Sequence, residues 1–89
     1  MARVVAFELE GIEMWIPSGD HDPPHFHARK PGHWDIKVHF LEDSEEAMIQ
    51  RIRPPDARIR GRERRALIEA VREHRAALLA QWDECQAQE

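Results

Sequence analysis

Apolar residues recur at alternate positions in two runs within residues 3–16: Val5, Phe7 and Leu9, and then Ile12, Met14 and Ile16. This is the pattern of β-strands that bury one face. Glu10 and Gly11 interrupt the alternation and suit a two-residue hairpin turn. This turn would pair Leu9 with Ile12, Phe7 with Met14, and Val5 with Ile16. The three apolar pairs then share one face, so the pattern and the turn length together predict a hairpin over residues 3–16.

The strongest alternation lies further along and predicts a second hairpin, with strands at 25–30 and 33–40. A two-residue turn at Pro31-Gly32 would expose Phe26, whereas a three-residue turn, 30–32 or 31–33, buries every apolar side chain. We therefore expect the three-residue turn. The buried face would then hold Phe26, Ala28, Trp34, Ile36 and Val38, and the opposite face would hold His25, His27, Arg29, His33, Asp35, Lys37 and His39.

The second half of the chain predicts a weaker strand and a long helix. Residues 47–53 favour a fifth strand, although Asp43 and Glu46 could instead cap a helical turn. From Gly61 to Gln86, helical spacing defines one apolar stripe through Leu67, Val71, His74, Leu78 and Trp82. The predicted fold class is α+β: a small antiparallel sheet of four to five strands, made of two hairpins plus a weaker strand, packed against one long C-terminal helix.

Composition narrows the class of protein. A chain of 89 residues predicts a single domain, residues 1–89, and a balance of 42% hydrophobic and 34% charged residues is typical of a globular one. The single cysteine, Cys85, excludes an intramolecular disulfide, and no apolar run is long enough to cross a membrane. We therefore expect a cytoplasmic protein with no membrane partner.

Charge is distributed unevenly. The formal net charge is −4, which argues against a protein built mainly to coat nucleic acid. Residues 51–66 nevertheless hold seven arginines: Arg51, Arg53, Arg58, Arg60, Arg62, Arg64 and Arg65. A solvated connector is the first interpretation of such a block, and an anion-binding or nucleic-acid-binding patch is the alternative.

Histidine is concentrated in one segment: five of the six histidines lie between His21 and His39. His25 and His27 would lie on one face of a strand, close enough to share a metal ion, with His39 on the neighbouring strand as a third ligand. Asp20 or Asp22 could add an oxygen ligand or orient an imidazole. This donor set suits a divalent transition metal such as zinc or nickel.

The same residues could instead support acid–base chemistry. His25, His27 and His21 are candidate catalytic groups, because imidazoles titrate near neutral pH and can act as the acid and base of phosphodiester cleavage. Arg29 and Lys37 would bind the substrate and stabilise its developing negative charge. A third interpretation is structural, in which His25 and His27 brace the proline-containing loop at Pro23-Pro24.

Two segments resemble a known family. Residues 20–28, Asp-His-Asp-Pro-Pro-His-Phe-His-Ala, follow Met14-Trp15-Ile16 and resemble the D-H-x-P-P-H-F-H-A signature of the DUF4160 family. Residues 74–82 resemble its closing helix, with the pattern H-x-x-x-L-x-x-x-W. The resemblance implies a small bacterial protein, often encoded beside a second small protein and suspected to be a toxin–antitoxin-like component. It also marks His21, His25 and His27 as a unit, but it implies no established activity.

These observations leave several functions open. The first is a toxin–antitoxin-like module that binds a small partner protein encoded nearby, or a second copy of itself as a homodimer, through the exposed sheet face or the outer side of the helix. The alternatives are a histidine-dependent ribonuclease and a metal-binding protein. Nucleic-acid binding through the arginine block ranks last.

Overall fold

The computed structural model describes residues 2–19 and 23–87. Within these residues the chain forms five strands and three helices, which run in chain order as β1 (Ala2–Arg3), β2 (Glu13–Ile16), β3 (Phe26–Lys30), β4 (Trp34–Val38), α1 (Glu45–Met48), β5 (Ile49–Arg53), α2 (Gly61–Glu73) and α3 (Arg75–Ala87). The strands form one antiparallel sheet in the order β1-β2-β3-β4-β5. The predicted α+β class is confirmed.

The second hairpin has the predicted register. Phe26 is the partner of Val38, and Lys30 is the partner of Trp34, so residues 31–33 form the three-residue turn. Gly32 adopts a positive φ of 80° in this turn, a conformation that glycine adopts without strain. The core contains all five apolar residues predicted for the buried face: Phe26, Ala28, Trp34, Ile36 and Val38.

The first hairpin differs from its prediction beyond its turn. The Leu9–Ile12 pair is present, but β1 pairs Ala2 with Ile16, so the predicted Val5–Ile16 and Phe7–Met14 pairs are wrong. Val5 is 79% exposed, and its neighbour Val4 is buried instead. A side chain of α3 binds the backbone at the end of β1 and just after it. The side chain of Gln81 accepts a hydrogen bond from the Val5 amide at 3.1 Å and donates one to the Arg3 carbonyl at 2.6 Å.

Residues 43–53 contain both of the structures considered for them, first a helical turn and then a strand. The Ser44 hydroxyl accepts a hydrogen bond from the Ala47 amide and caps the single helical turn α1. The fifth strand, β5, then pairs with β4. The residues expected to cap this turn were Asp43 and Glu46, whereas the structure uses the serine between them.

The predicted single helix over 61–86 is divided at His74. The His74 amide is shared between the Ala70 and Val71 carbonyls, and its φ of −114° departs from helical geometry. The His74 ring stacks on Phe7, with centroids 5.5 Å apart. The apolar stripe otherwise faces the core as predicted, since Leu67, Val71, Leu78 and Trp82 are buried. No helix in the described part of the chain is long and apolar enough to span a membrane.

Candidate functional site

The face of the sheet opposite the core is the candidate site, and we call it the open face. It carries polar and aromatic side chains because alternate residues of each strand point away from the core. Strand pairing arranges these side chains in two rows across the sheet. One row is Arg3, Trp15, His27 and Lys37, and the other is Glu13, Arg29, Asp35 and Arg53, while Arg51 lies beside them on β5.

An aromatic pair stands in the middle of the open face. The rings of Trp15 and His27, which are cross-strand partners, stack with centroids 5.5 Å apart and planes inclined by 24°. The Arg29 guanidinium lies 5.9 Å from the centre of the Trp15 ring, within the range of a cation–π contact. The Glu13 carboxylate accepts a 2.7 Å hydrogen bond from the same guanidinium and holds it there. The contacts with His27 and Arg29 hold the Trp15 side chain in place, and we call this side chain the aromatic ridge.

His25 is buried instead of exposed on the open face, although its ring lies beside that of His27. Its side chain is only 1% exposed, and its ring lies 5.1 Å from that of Trp82 on α3. The Nδ1–H group donates a hydrogen bond to the Pro23 carbonyl at 2.9 Å. The physical reason is that Trp82 of α3 packs against the His25 ring at the start of β3.

The three histidines predicted to converge do lie close together. The His25 ring lies 5.4 Å from that of His27 in an edge-to-face contact and 5.8 Å from that of His39 in a stacked one. Within residues 2–19 and 23–87, however, no group of three or more His, Cys, Asp or Glu side chains has the arrangement of a metal site. Asp20, His21 and Asp22, predicted as binding or catalytic residues, lie outside the described residues.

The pKa of His39 is shifted by burial and by the charged side chains around it. Burial lowers the pKa of its imidazole below the ordinary value of 6.5, and His25, Lys37 and Arg51 lower the pKa further, while Glu42 opposes them. The two cationic side chains of Lys37 and Arg51 therefore act on the same small region. A positive field of this kind favours anions and disfavours added protons.

Of the two remaining predicted binding residues, Arg29 contacts the aromatic ridge and Lys37 lies in the same row as His27. The sequence interpretation missed Trp15, Arg51 and Arg53 as members of the open face. The signal for Trp15 was its position between Met14 and Ile16, which are buried, so alternation directs Trp15 to the opposite face. Nothing in the sequence indicated the position of Arg51, which depends on an irregularity in strand pairing.

Two side chains of the arginine-rich region, those of Glu63 and Arg64, form ion pairs with other elements. Arg64 pairs with Glu45 at 3.5 Å, and Glu63 accepts a 2.6 Å hydrogen bond from Lys30 of β3. Beyond the block, Arg75 donates to the Phe40 carbonyl at 2.9 Å. These contacts join α2 and α3 to the sheet and its loops. Arg58, Arg60, Arg62 and Arg65 are exposed, which agrees with the interpretation of the block as a solvated connector.

Comparison with known proteins places the chain in a family. The family model described as "Domain of unknown function (DUF4160)" matches residues 11–83, which is most of the chain and includes the aromatic pair. No curated protein and no solved structure matched. The chain therefore belongs to the DUF4160 family, as its resemblance to that family predicted.

Proposed function

We propose that the protein is the partner-binding component of a toxin–antitoxin-like pair and that it binds an acidic segment of a small partner protein through the open face. The observation that carries the proposal is the fixed Trp15 ridge among the basic side chains Arg29, Lys37 and Arg53. Tryptophan and arginine are the residues that most often dominate binding energy at protein interfaces. The net charge of the chain is −4, so this face differs in sign from the whole molecule.

The outer side of the helices, the other surface considered from sequence, offers less for a partner. The exposed positions of α3 include Ala76, Ala77, Ala80, Asp83 and Glu84, which provide neither a large aromatic anchor nor a basic surface. An interface centred there would lack the large buried side chains on which affinity commonly depends. This contrast favours the open face.

The two alternative functions have weaker support. Acid–base catalysis by His25 and His27 requires both imidazoles to reach a substrate, and His25 is enclosed by Trp82 and His39. Metal binding by His25, His27 and His39 requires three nitrogen atoms directed at one point, and the described residues include no such group. Both alternatives would have to use side chains in other positions.

The experiment is co-expression with the protein encoded beside it, followed by size-exclusion chromatography with light scattering. We expect a complex of the two chains that Trp15→Ala or Arg29→Glu weakens by about tenfold or more, as expected for central interface residues. Arg62→Glu, on an exposed position of α2, is the control for charge reversal and should leave the complex intact. The absence of a complex, the formation of a homodimer alone, or equal loss with Arg62→Glu would each contradict the proposal.

A further inference from the structure

Strand β5 contains a bulge that directs an arginine onto the open face. Asp35 is the partner of Arg53 and Lys37 is the partner of Gln50, so two residues of β5 lie opposite Ile36 alone. Arg51, in the bulge, has a φ of 52°. A left-handed conformation is unfavourable for a residue other than glycine, so the fold retains a strained backbone at this position. Such bulges often lie beside functional sites, where they redirect a side chain.

The bulge borders a small basic depression. Its volume is about 180 Å³, and it is lined by His27, Asp35, Ile36, Lys37, Arg51 and Arg53. In the part of the chain that the structure describes, Lys37, Arg51 and Arg53 form no ion pair. Asp35 supplies the one carboxylate in the lining, so three permanent cations surround a space with a single negative charge. This imbalance is favourable for an anion with several acceptor oxygens.

A second depression joins the basic one to the aromatic ridge. It has a volume of about 210 Å³ and is lined by Trp15, His27, Arg29, Asp35 and Ile36, three of which also line the basic depression. Neighbouring strands lie about 4.8 Å apart, so the Trp15 strand and the Lys37 strand are separated by about 10 Å. A ligand with a flat ring at one end and an anionic group at the other matches this arrangement of an aromatic surface and a basic depression.

We propose that the open face binds a nucleotide, with its phosphate group in the depression formed by Lys37, Arg51 and Arg53 and its base against Trp15 and His27. Guanidinium groups donate paired hydrogen bonds to phosphate oxygens. The base would take the place of the Arg29 guanidinium, which now lies over the Trp15 ring, and would stack on the indole. The nucleotide can be free or can be one unit of single-stranded RNA, since both present a base and a phosphate. This inference goes beyond the proposed function, because it names a second ligand for the face that would bind the partner protein.

The test is a titration of the isotope-labelled chain, without any partner, followed by two-dimensional NMR. The probes are inorganic phosphate, adenosine monophosphate, adenosine and a short single-stranded oligoadenylate RNA, all at the same ionic strength. We expect adenosine monophosphate to shift the amide signals of Lys37, Arg51 and Arg53, and inorganic phosphate to shift the same signals more weakly. Adenosine, which lacks the phosphate, should bind about tenfold or more weakly than its monophosphate, because it lacks the charge-assisted hydrogen bonds.

Arg51→Gly is the decisive variant, because glycine adopts a positive φ without strain. It should be at least as stable as the parent protein in chemical denaturation, yet bind adenosine monophosphate about tenfold more weakly. Lys37→Gln should weaken binding in the same way without altering the bulge. Arg58→Gly is the matched control, because it makes the same substitution at an exposed position of the connector. This control should leave the affinity unchanged.

The outcomes separate the two sources of the ligand. Tighter binding of the RNA than of the monophosphate, lost in Arg51→Gly, assigns the site to single-stranded RNA, and equal or tighter binding of the monophosphate assigns it to a free nucleotide. The absence of shifts at about 10 mM of any phosphate-bearing probe, where a millimolar site would be nearly saturated, would overturn the proposal. Equal losses in Arg58→Gly, or adenosine binding as tightly as its monophosphate, would also overturn it. Binding of the partner protein is measured in a separate co-expression experiment. The proposal of partner binding and the proposal of nucleotide binding can therefore fail independently of each other.

Discussion

Replacing His25 by alanine tests whether this buried histidine acts as a structural brace. The substitution removes a ring that is 1% exposed and packs against Trp82 and His39. Loss of a buried ring of this size costs about 2 kcal/mol, since it is smaller than the phenylalanine and tryptophan rings whose removal costs more. The lost hydrogen bond leaves the Pro23 carbonyl without this donor and adds about 1 kcal/mol. We therefore expect the free energy of unfolding to fall by about 3 kcal/mol.

Urea denaturation followed by tryptophan fluorescence measures this loss of stability. In thermal denaturation, the same loss would lower the melting temperature of a chain of this size by roughly 15 °C. His25→Phe keeps a ring and removes the hydrogen bond, so it should cost about 1–2 kcal/mol and remain measurable if the alanine variant does not fold. His33→Ala is the matched control, because His33 lies exposed in the β3–β4 turn and contributes a backbone hydrogen bond that the substitution retains. If His25→Ala costs no more than His33→Ala, the structural role is refuted.

Two further predictions concern His39 and Gln81. Because the pKa of His39 is below 6.5 in the folded protein, the unfolded chain binds the proton more readily, so this residue's contribution to stability is present above pH 6.5 and declines as the pH falls below it. Denaturation measured between about pH 7.5 and 5 should show this decline, and His39→Gln should reduce it; an unchanged slope would contradict the assignment. Gln81→Ala should cost about 1 kcal/mol and speed hydrogen exchange at the Val5 amide, because it removes both hydrogen bonds that attach α3 to the segment after β1. Asp83→Ala, on the same helix, should change neither quantity, and slow exchange at Val5 in Gln81→Ala would exclude the proposed attachment.

The regularly patterned elements were predictable from local information. The register of β3 and β4 follows from alternation alone, because a shift of one residue would expose Phe26 and every apolar residue paired with it. The helix stripe was equally clear, since Leu67, Val71, Leu78 and Trp82 recur at helical spacing and bury one face. Most of the open face follows from the same logic, because polar residues that alternate with a buried set must point the other way.

The candidate site was only partly predictable. His27, Arg29 and Lys37 were placed on the exposed face from their positions in the alternating pattern, and the structure has them there. Trp15 was missed, although its position between the buried Met14 and Ile16 in β2 indicated the open face. Arg51 could not have been placed, because its direction depends on how many residues of β5 lie opposite β4.

The sequence by itself determined the α+β class, the β3–β4 register and the apolar face of the helices, because each depends on a repeating pattern of neighbouring residues. Tertiary structure decided the rest. His25 is buried because Trp82, 57 positions later, packs against its ring. Gln81 of α3 forms hydrogen bonds with the backbone of Arg3 in β1 and of Val5 just after it. The helix is divided where His74 meets Phe7. Each of these features depends on contacts between residues far apart in the chain, and local periodicity contains no information about such contacts.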